Sequence, residues 1–319
     1  MKPRYSRHEA KEYARQNLRG LWAATLTPFK SDGSLDEEGY KKNLAHWIND
    51  LGIDGLFVGG KMGEYVSMTV EERKFTFKAS VEAAAGKCGI LTSCTDQNID
   101  TVVALAKYSQ EIGAEYIIVH TPVFFFGMGT DEAVYEYYRH ICEQVDIGVV
   151  LWNLPKDCGY MLEPPMCLRL AEIPNVVGIK YSVPRETYAQ LTEMSKGKLI
   201  VSCSSEPDWY KNMKELGWQV YLCSTPPLLL QTKNDTRMRE YTRLAQSGQW
   251  DKAKLVRDSL DPVREAFLGC KPAGKHISYQ KYWQELLGQA GGPTRRPILQ
   301  LTDAEKTVVK KAFEQTGLR

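Results

Sequence analysis

Eight short apolar runs, each followed by an amphipathic or polar-rich stretch, constrain this chain more than any other feature. They read GLWAATLTPF (20–29), GLFVGG (55–60), GILTSC (89–94), EYIIVHTP (115–122), IGVVLWNLP (147–155), VVGIKYS (176–182), LIVSCSS (199–205) and GWQVYLCS (217–224). Continuous β-branched and aliphatic runs suit parallel strands covered on both faces, whereas half-exposed strands alternate. The stretches between them read as helices. SLDEEGYKKNLAHWINDLG opens on acidic residues and closes on glycine, and MTVEERKFTFKASVEAAAG carries a Thr-x-x-Glu start of the capping-box kind. This alternation predicts an α/β fold, a closed (β/α)8 TIM barrel over residues 20–232. A doubly wound open sheet is the alternative, but no Gly-x-Gly-x-x-Gly follows the first run. Residues 1–19 predict a short helical extension, and the charged stretch 233–319 a helical segment packed on the barrel.

The charge balance narrows the partners. A formal net charge of +2 gives no footing for nucleic-acid or membrane binding, so a small polar metabolite is the expected partner. No apolar run reaches spanning length and the first twenty residues lack an apolar signal core, which predicts a cytoplasmic protein. The eight cysteines are scattered singly with no Cys-x-x-Cys pair, so reduced packing thiols are expected rather than a disulfide framework or structural zinc. Cys94, Cys203 and Cys223 fall near strand ends, where a nucleophile stays open as a second reading. The five histidines lie far apart with no ligand spacing, which gives a metal-dependent aldolase little support.

In a barrel of this kind chemistry sits at the C-terminal ends of strands. Two such ends stand out. FVGGKMGEY (57–65) turns tightly after the second run, but it is no phosphate loop, because the Gly-x4-Gly-Lys-Ser/Thr spacing is absent. Backbone N–H groups exposed at such a turn suit a carboxylate, with Gly60 and Gly63 allowing close approach. The other end is Lys180, a lysine inside the apolar run NVVGIKYS with no acidic neighbour in sequence. A desolvated lysine loses proton affinity and becomes the neutral amine that imine formation requires. A lysine that snorkels to water or satisfies a buried carboxylate is the plainer reading.

Four landmarks in order, LTPF on the first strand, GKMGE after the second, TP with aromatics after the fourth and GIK on the sixth, resemble the dihydrodipicolinate synthase/N-acetylneuraminate lyase superfamily. These are barrel-type class I pyruvate aldolases, and the resemblance runs from about residue 20 through the C-terminal helices. It implies that Lys180 forms a Schiff base with a 2-oxo acid and that the turn Gly60, Lys61, Met62, Gly63 binds its carboxylate. It also implies homotetramers built as a dimer of dimers, and no metal or organic cofactor. Phe124, Asn153 and Ser204 complete the expected substrate-binding set.

The departures from the family pattern shape the expected reaction. The two threonines usual between the turn glycines are Lys61 and Met62, the relay tyrosine on the fifth strand is Trp152, and the arginine after it aligns with Asp157. The aromatic that completes the relay matches Val123 or Phe124, again without a hydroxyl. Indole donates a hydrogen bond but shuttles no proton. A standard synthase or sialic-acid lyase is therefore not expected. Lys61, if it points inward, is expected to favour the free amine of Lys180; turned outward, it would meet solvent, Glu64 or Asp157. Asp157 or His120 is a candidate acid/base, and Tyr65, Tyr160 and Tyr181 are further relay candidates, with Tyr181 expected to face away from Lys180 by strand alternation. Phe124, Phe125 and Phe126 beside Trp152 suggest an apolar or aromatic group on the pyruvyl unit. The expected activity is a Schiff-base lyase, a retro-aldol or hydratase-aldolase releasing pyruvate. A deoxy sugar acid dehydratase and a non-catalytic 2-oxo-acid-binding protein are the alternatives.

Overall fold

The computed structural model describes residues 4–122 and 130–318. The predicted runs become strands β1 (Gly20–Ala24), β2 (Gly55–Val58), β3 (Gly89–Ser93), β4 (Tyr116–His120), β5 (Gly148–Asn153), β6 (Val176–Tyr181), β7 (Ile200–Ser202) and β8 (Val220–Ser224). They form one sheet in the order β7-β6-β5-β4-β3-β2-β1-β8, with helices between successive strands, which is the (β/α)8 barrel. Every residue of β1 to β6 is buried, as strands covered on both faces require. The helices begin where side chains satisfy their first free N–H groups. Asp36 accepts from Gly39 N, Thr69 and Glu72 close a capping box, and Thr130 accepts from Ala133 N. Helices Arg237–Gln246, Trp250–Ser259, Asp261–Gly269, His276–Leu286 and Asp303–Gln315 form the C-terminal extension.

By internal packing the chain gathers into two compact units, Met1–Gly20 with Gly89–Cys223, and Leu21–Cys88 with Ser224–Arg319. In the first, the helix Ala10–Asn17 is tied down by Gln219, whose amide donates to the carbonyls of Leu18 (2.8 Å) and Arg15 (3.2 Å). The Tyr5 hydroxyl accepts from Gly148 N at 2.9 Å, fixing the chain start to the N-terminal end of β5, the stability face of such a barrel.

Within the same unit the pairing register positions the chemistry. Between β5 and β6, Val149 pairs with Val176 but Val150 pairs with Gly178, so one extra residue, Val177, is accommodated. Because side chains alternate with period two, this bulge sets which face Lys180 occupies. Gly178 must be glycine: a Cβ there would lie 2.9 Å from the Ile200 carbonyl oxygen on β7. The glycine of GIK is thus explained by strand packing.

Candidate active site

Register aligns four side chains in one row across β4 to β7. His120 pairs with Trp152, Trp152 with Lys180, and Lys180 with Ser202. Residues directly opposite in register share a face. Lys180 is 5% exposed, its Nζ lies 5.1 Å from the Trp152 ring centroid, and it donates to the Cys223 carbonyl. A cation over an indole face is held by the ring quadrupole. Ser202 was not foreseen. Its hydroxyl donates to Val220 O (2.7 Å) and accepts from Leu222 N (3.0 Å), so a side chain joins β7 to β8, the two ends of the sheet order. The His120 imidazole meets the Trp152 ring edge-on at 5.6 Å, and its Nδ1 lies 2.6 Å from the Thr121 carbonyl oxygen.

The alternate row faces the other way. Asn153 pairs with Tyr181. The Tyr181 hydroxyl donates to Leu162 O at 2.5 Å, confirming the expectation from alternation. Asn153 accepts from Leu162 N (3.0 Å) and donates to Met161 Sδ (3.4 Å), so its amide holds the loop after β5. Tyr160 donates to Asp131 Oδ1 at 2.6 Å, and burial together with that carboxylate raises its phenol above the usual range. Neither phenol is left to serve a relay. Asp157 is exposed on the short helix Pro155–Cys158, and Ser204 is half-buried with its carbonyl accepting from Tyr221. All eight cysteines are buried, and none is in a disulfide among the described residues. Burial pushes the thiols of Cys203 up to about 11 and of Cys223 up to about 12, which argues against either as nucleophile. Phe124, with Val123, Phe125 and Phe126, lies outside the described residues.

In the second unit, the stretch after β2 forms two 3₁₀ turns, Lys61–Gly63 and Tyr65–Ser67, joined by Glu64 in the left-handed region (φ 58°). Gly63 N and Glu64 N close the first turn on the carbonyls of Gly60 (3.0 Å) and Lys61 (3.1 Å). Thr27 donates to Gly63 O at 2.9 Å. Gly60 has an internal reason to be glycine, since a Cβ there would lie 2.4 Å from the Phe57 ring. Lys61 is exposed, so water screens its charge.

Nor does Lys61 pair with Glu64. That carboxylate is fully buried and accepts from Lys281 Nζ (2.9 Å) and Arg295 N (2.8 Å). Arg295 in turn chelates Glu72 at 2.6 and 2.8 Å, and both cations flank the Phe29 ring. Burial lowers the proton affinity of Lys281 below its usual range, with Glu64 opposing the shift. Sequence reading missed this network, whose partners stand 217 and 231 residues apart. Among the described residues no group of three or more His, Cys, Asp or Glu is placed to hold a metal, and no helix is long and apolar enough to cross a membrane.

The sequence profile of the Dihydrodipicolinate synthetase family matches residues 17–316. One relative, a 4-hydroxy-tetrahydrodipicolinate synthase of Methanothrix thermoacetophila, is 28% identical over 307 residues, covering 94% of this chain and 99% of its own. In fold, the chain is similar to dihydrodipicolinate synthase from Aquifex aeolicus (TM-score 0.83, 20% identity, 94% of this chain and 98% of that one). It is also similar to CdNal from Clostridium difficile, solved with mannosamine (TM-score 0.82, 20% identity, 94% and 99%).

Proposed function

Because the chain belongs to the dihydrodipicolinate synthetase family, we propose that it is a lyase in which Lys180 forms an imine with a 2-oxo acid, pyruvate being the common unit. The observation that carries this reading is the buried Lys180 amine, aimed across the face of Trp152 in a row of inward strand-end residues. Burial favours the neutral amine that carbonyl condensation requires. The carbinolamine loses water to give the iminium, which then accepts the electron pair released when a carbon–carbon bond breaks. Gly60, Lys61, Met62 and Gly63 are assigned to the substrate carboxylate, which backbone N–H groups at such a turn suit.

The reaction proposed is retro-aldol release of pyruvate, after hydration where the substrate is unsaturated. Trp152 at the position of the family's relay tyrosine, and Asp157 at that of its arginine, support a reaction other than the one that names its relatives. A buried indole beside the lysine supports an aromatic or apolar substituent on the pyruvyl unit. Homo-oligomers and independence from a metal or organic cofactor belong to the same proposal.

The test is a condensation screen. Pyruvate is incubated with aromatic aldehydes, and with the second substrate of the family synthases, and new carbon–carbon products are sought by mass spectrometry. An aromatic aldol or benzylidene product formed by the wild type and absent with Lys180→Ala is the expected result. Product from the synthase substrate alone would replace this reading with that of the relatives. Dehydration of a deoxy sugar acid without any condensation would move it to the dehydratase class.

A further inference from the structure

We propose that Ser202 is a positioning residue for the imine-forming lysine, acting through β8; the proposal rests on the Lys180 reading above. Imine formation needs the Lys180 nitrogen held with its lone pair open to the 2-oxo carbon. One group that holds it is the Cys223 carbonyl, near the C-terminal end of β8, which accepts from Nζ. The N–H that points at this oxygen keeps the lone pair of the neutral amine directed elsewhere. Whatever fixes the carbonyl therefore helps to fix the nucleophile.

Three observations give Ser202 this role. It is the register partner of Lys180 on β7. Its hydroxyl reaches β8 on both sides of Tyr221, donating to Val220 O at 2.7 Å and accepting from Leu222 N at 3.0 Å, one residue before Cys223. Ser202, Val220 and Leu222 are all fully buried, so bulk water does not stand ready to replace the hydroxyl. These contacts close a circuit: Lys180 is paired with Ser202 across the β6–β7 ladder, Ser202 is bonded to Leu222, and the next residue accepts from the Lys180 amine. The β6–β7 side of the circuit is tight, because a Cβ on Gly178 would lie 2.9 Å from the Ile200 carbonyl oxygen. On the other side β7 and β8 are the two ends of the sheet order, and there a side chain makes the link that backbone ladders make between neighbouring strands. Removing the hydroxyl releases β8 from β7 beside the carbonyl that orients Lys180. The effect falls on the rate of imine formation rather than on pyruvate affinity, since the substrate carboxylate is assigned to the glycine turn.

In the test, enzyme is mixed with pyruvate and quenched into borohydride at short intervals, and the adduct is measured by intact mass. This gives a saturating rate of imine formation and a half-saturating pyruvate concentration. In Ser202→Ala the saturating rate is expected to fall about tenfold, with half-saturation within about twofold of wild type. Ser202→Thr keeps the hydroxyl and is expected to stay within about threefold of the wild-type rate. Ser202→Val, its isostere without the hydroxyl, is expected to fall with the alanine variant, so the Thr–Val pair decides if Ser202→Ala does not fold. Asn175→Ala controls for loss of stability alone. Asn175 precedes β6, at the end of the strand away from Lys180, and its amide donates to the carbonyls of Cys142, Val145 and Ile147. This control is expected to lower the denaturation midpoint as Ser202→Ala does, while the imine rate stays within about twofold of wild type. A hydroxyl-free variant that forms the imine at the wild-type rate overturns the positioning role and leaves Lys180 untouched. So does an Asn175→Ala slowed as much as Ser202→Ala. A wild type that yields no adduct overturns the imine reading, and this proposal with it.

Discussion

The strand row His120–Trp152–Lys180–Ser202 and the glycine turn 60–64 carry the two most informative stretches of the sequence, and they tolerate change in opposite ways. In the turn, the residues that match the family pattern are fixed by packing: Gly60 by the Phe57 ring, Gly63 by Thr27, Glu64 by Lys281 and Arg295. The two that depart from it, Lys61 and Met62, stand between these anchors, and Lys61 is exposed. In the row every member is buried, so a change at Trp152 meets the Lys180 amine directly. A turn held by its glycines and Glu64 tolerates replacement of an exposed side chain; a buried row does not.

Breaking the turn's anchor should have the largest effect on stability. Glu64→Ala leaves the Lys281 ammonium buried without its carboxylate, and a loss of about 3–5 kcal/mol is expected in chemical denaturation. The double variant Glu64→Ala/Lys281→Met should recover much of it, which a double-mutant cycle measures. Next comes the turn glycine. Gly60→Ala should cost about 1–3 kcal/mol, because the new Cβ would sit 2.4 Å from Phe57, and Phe57→Leu should relieve part of the penalty.

The row supplies a smaller structural effect. Ser202→Ala strands the buried Val220 carbonyl and Leu222 N–H at the β7–β8 junction, and about 1–3 kcal/mol should be lost, read as a lowered denaturation midpoint. The smallest effect should come from Lys61→Ala, within about 0.5 kcal/mol of wild type, since the side chain is exposed. A Lys61→Ala variant destabilised as much as Gly60→Ala would erase the distinction between anchors and variable positions.

The barrel was legible because its signal is periodic. Each of the eight apolar runs contains a strand, and the capping box at Thr69 and Glu72 closes where the Thr-x-x-Glu start placed it. The burial of Lys180 and the outward turn of Tyr181 followed from the same alternation. The orientation of Asn153 was within reach too, because it lies one step out of phase with Trp152 on β5. Contacts between distant segments were not legible. Nothing near Glu64 announces Lys281, 217 residues on, and nothing in LIVSCSS marks Ser202, rather than Ser204, as the serine opposite Lys180. Only the β6–β7 register decides that.

The central claim, that Lys180 is an imine-forming lysine, is tested most directly by intact-mass analysis after incubation with pyruvate and borohydride, on wild type and Lys180→Ala. The account predicts one reduced pyruvyl adduct on the wild type, mapped by peptide analysis to Lys180, and none on the variant. No adduct at saturating pyruvate, or an adduct of equal yield on Lys180→Ala, would contradict it.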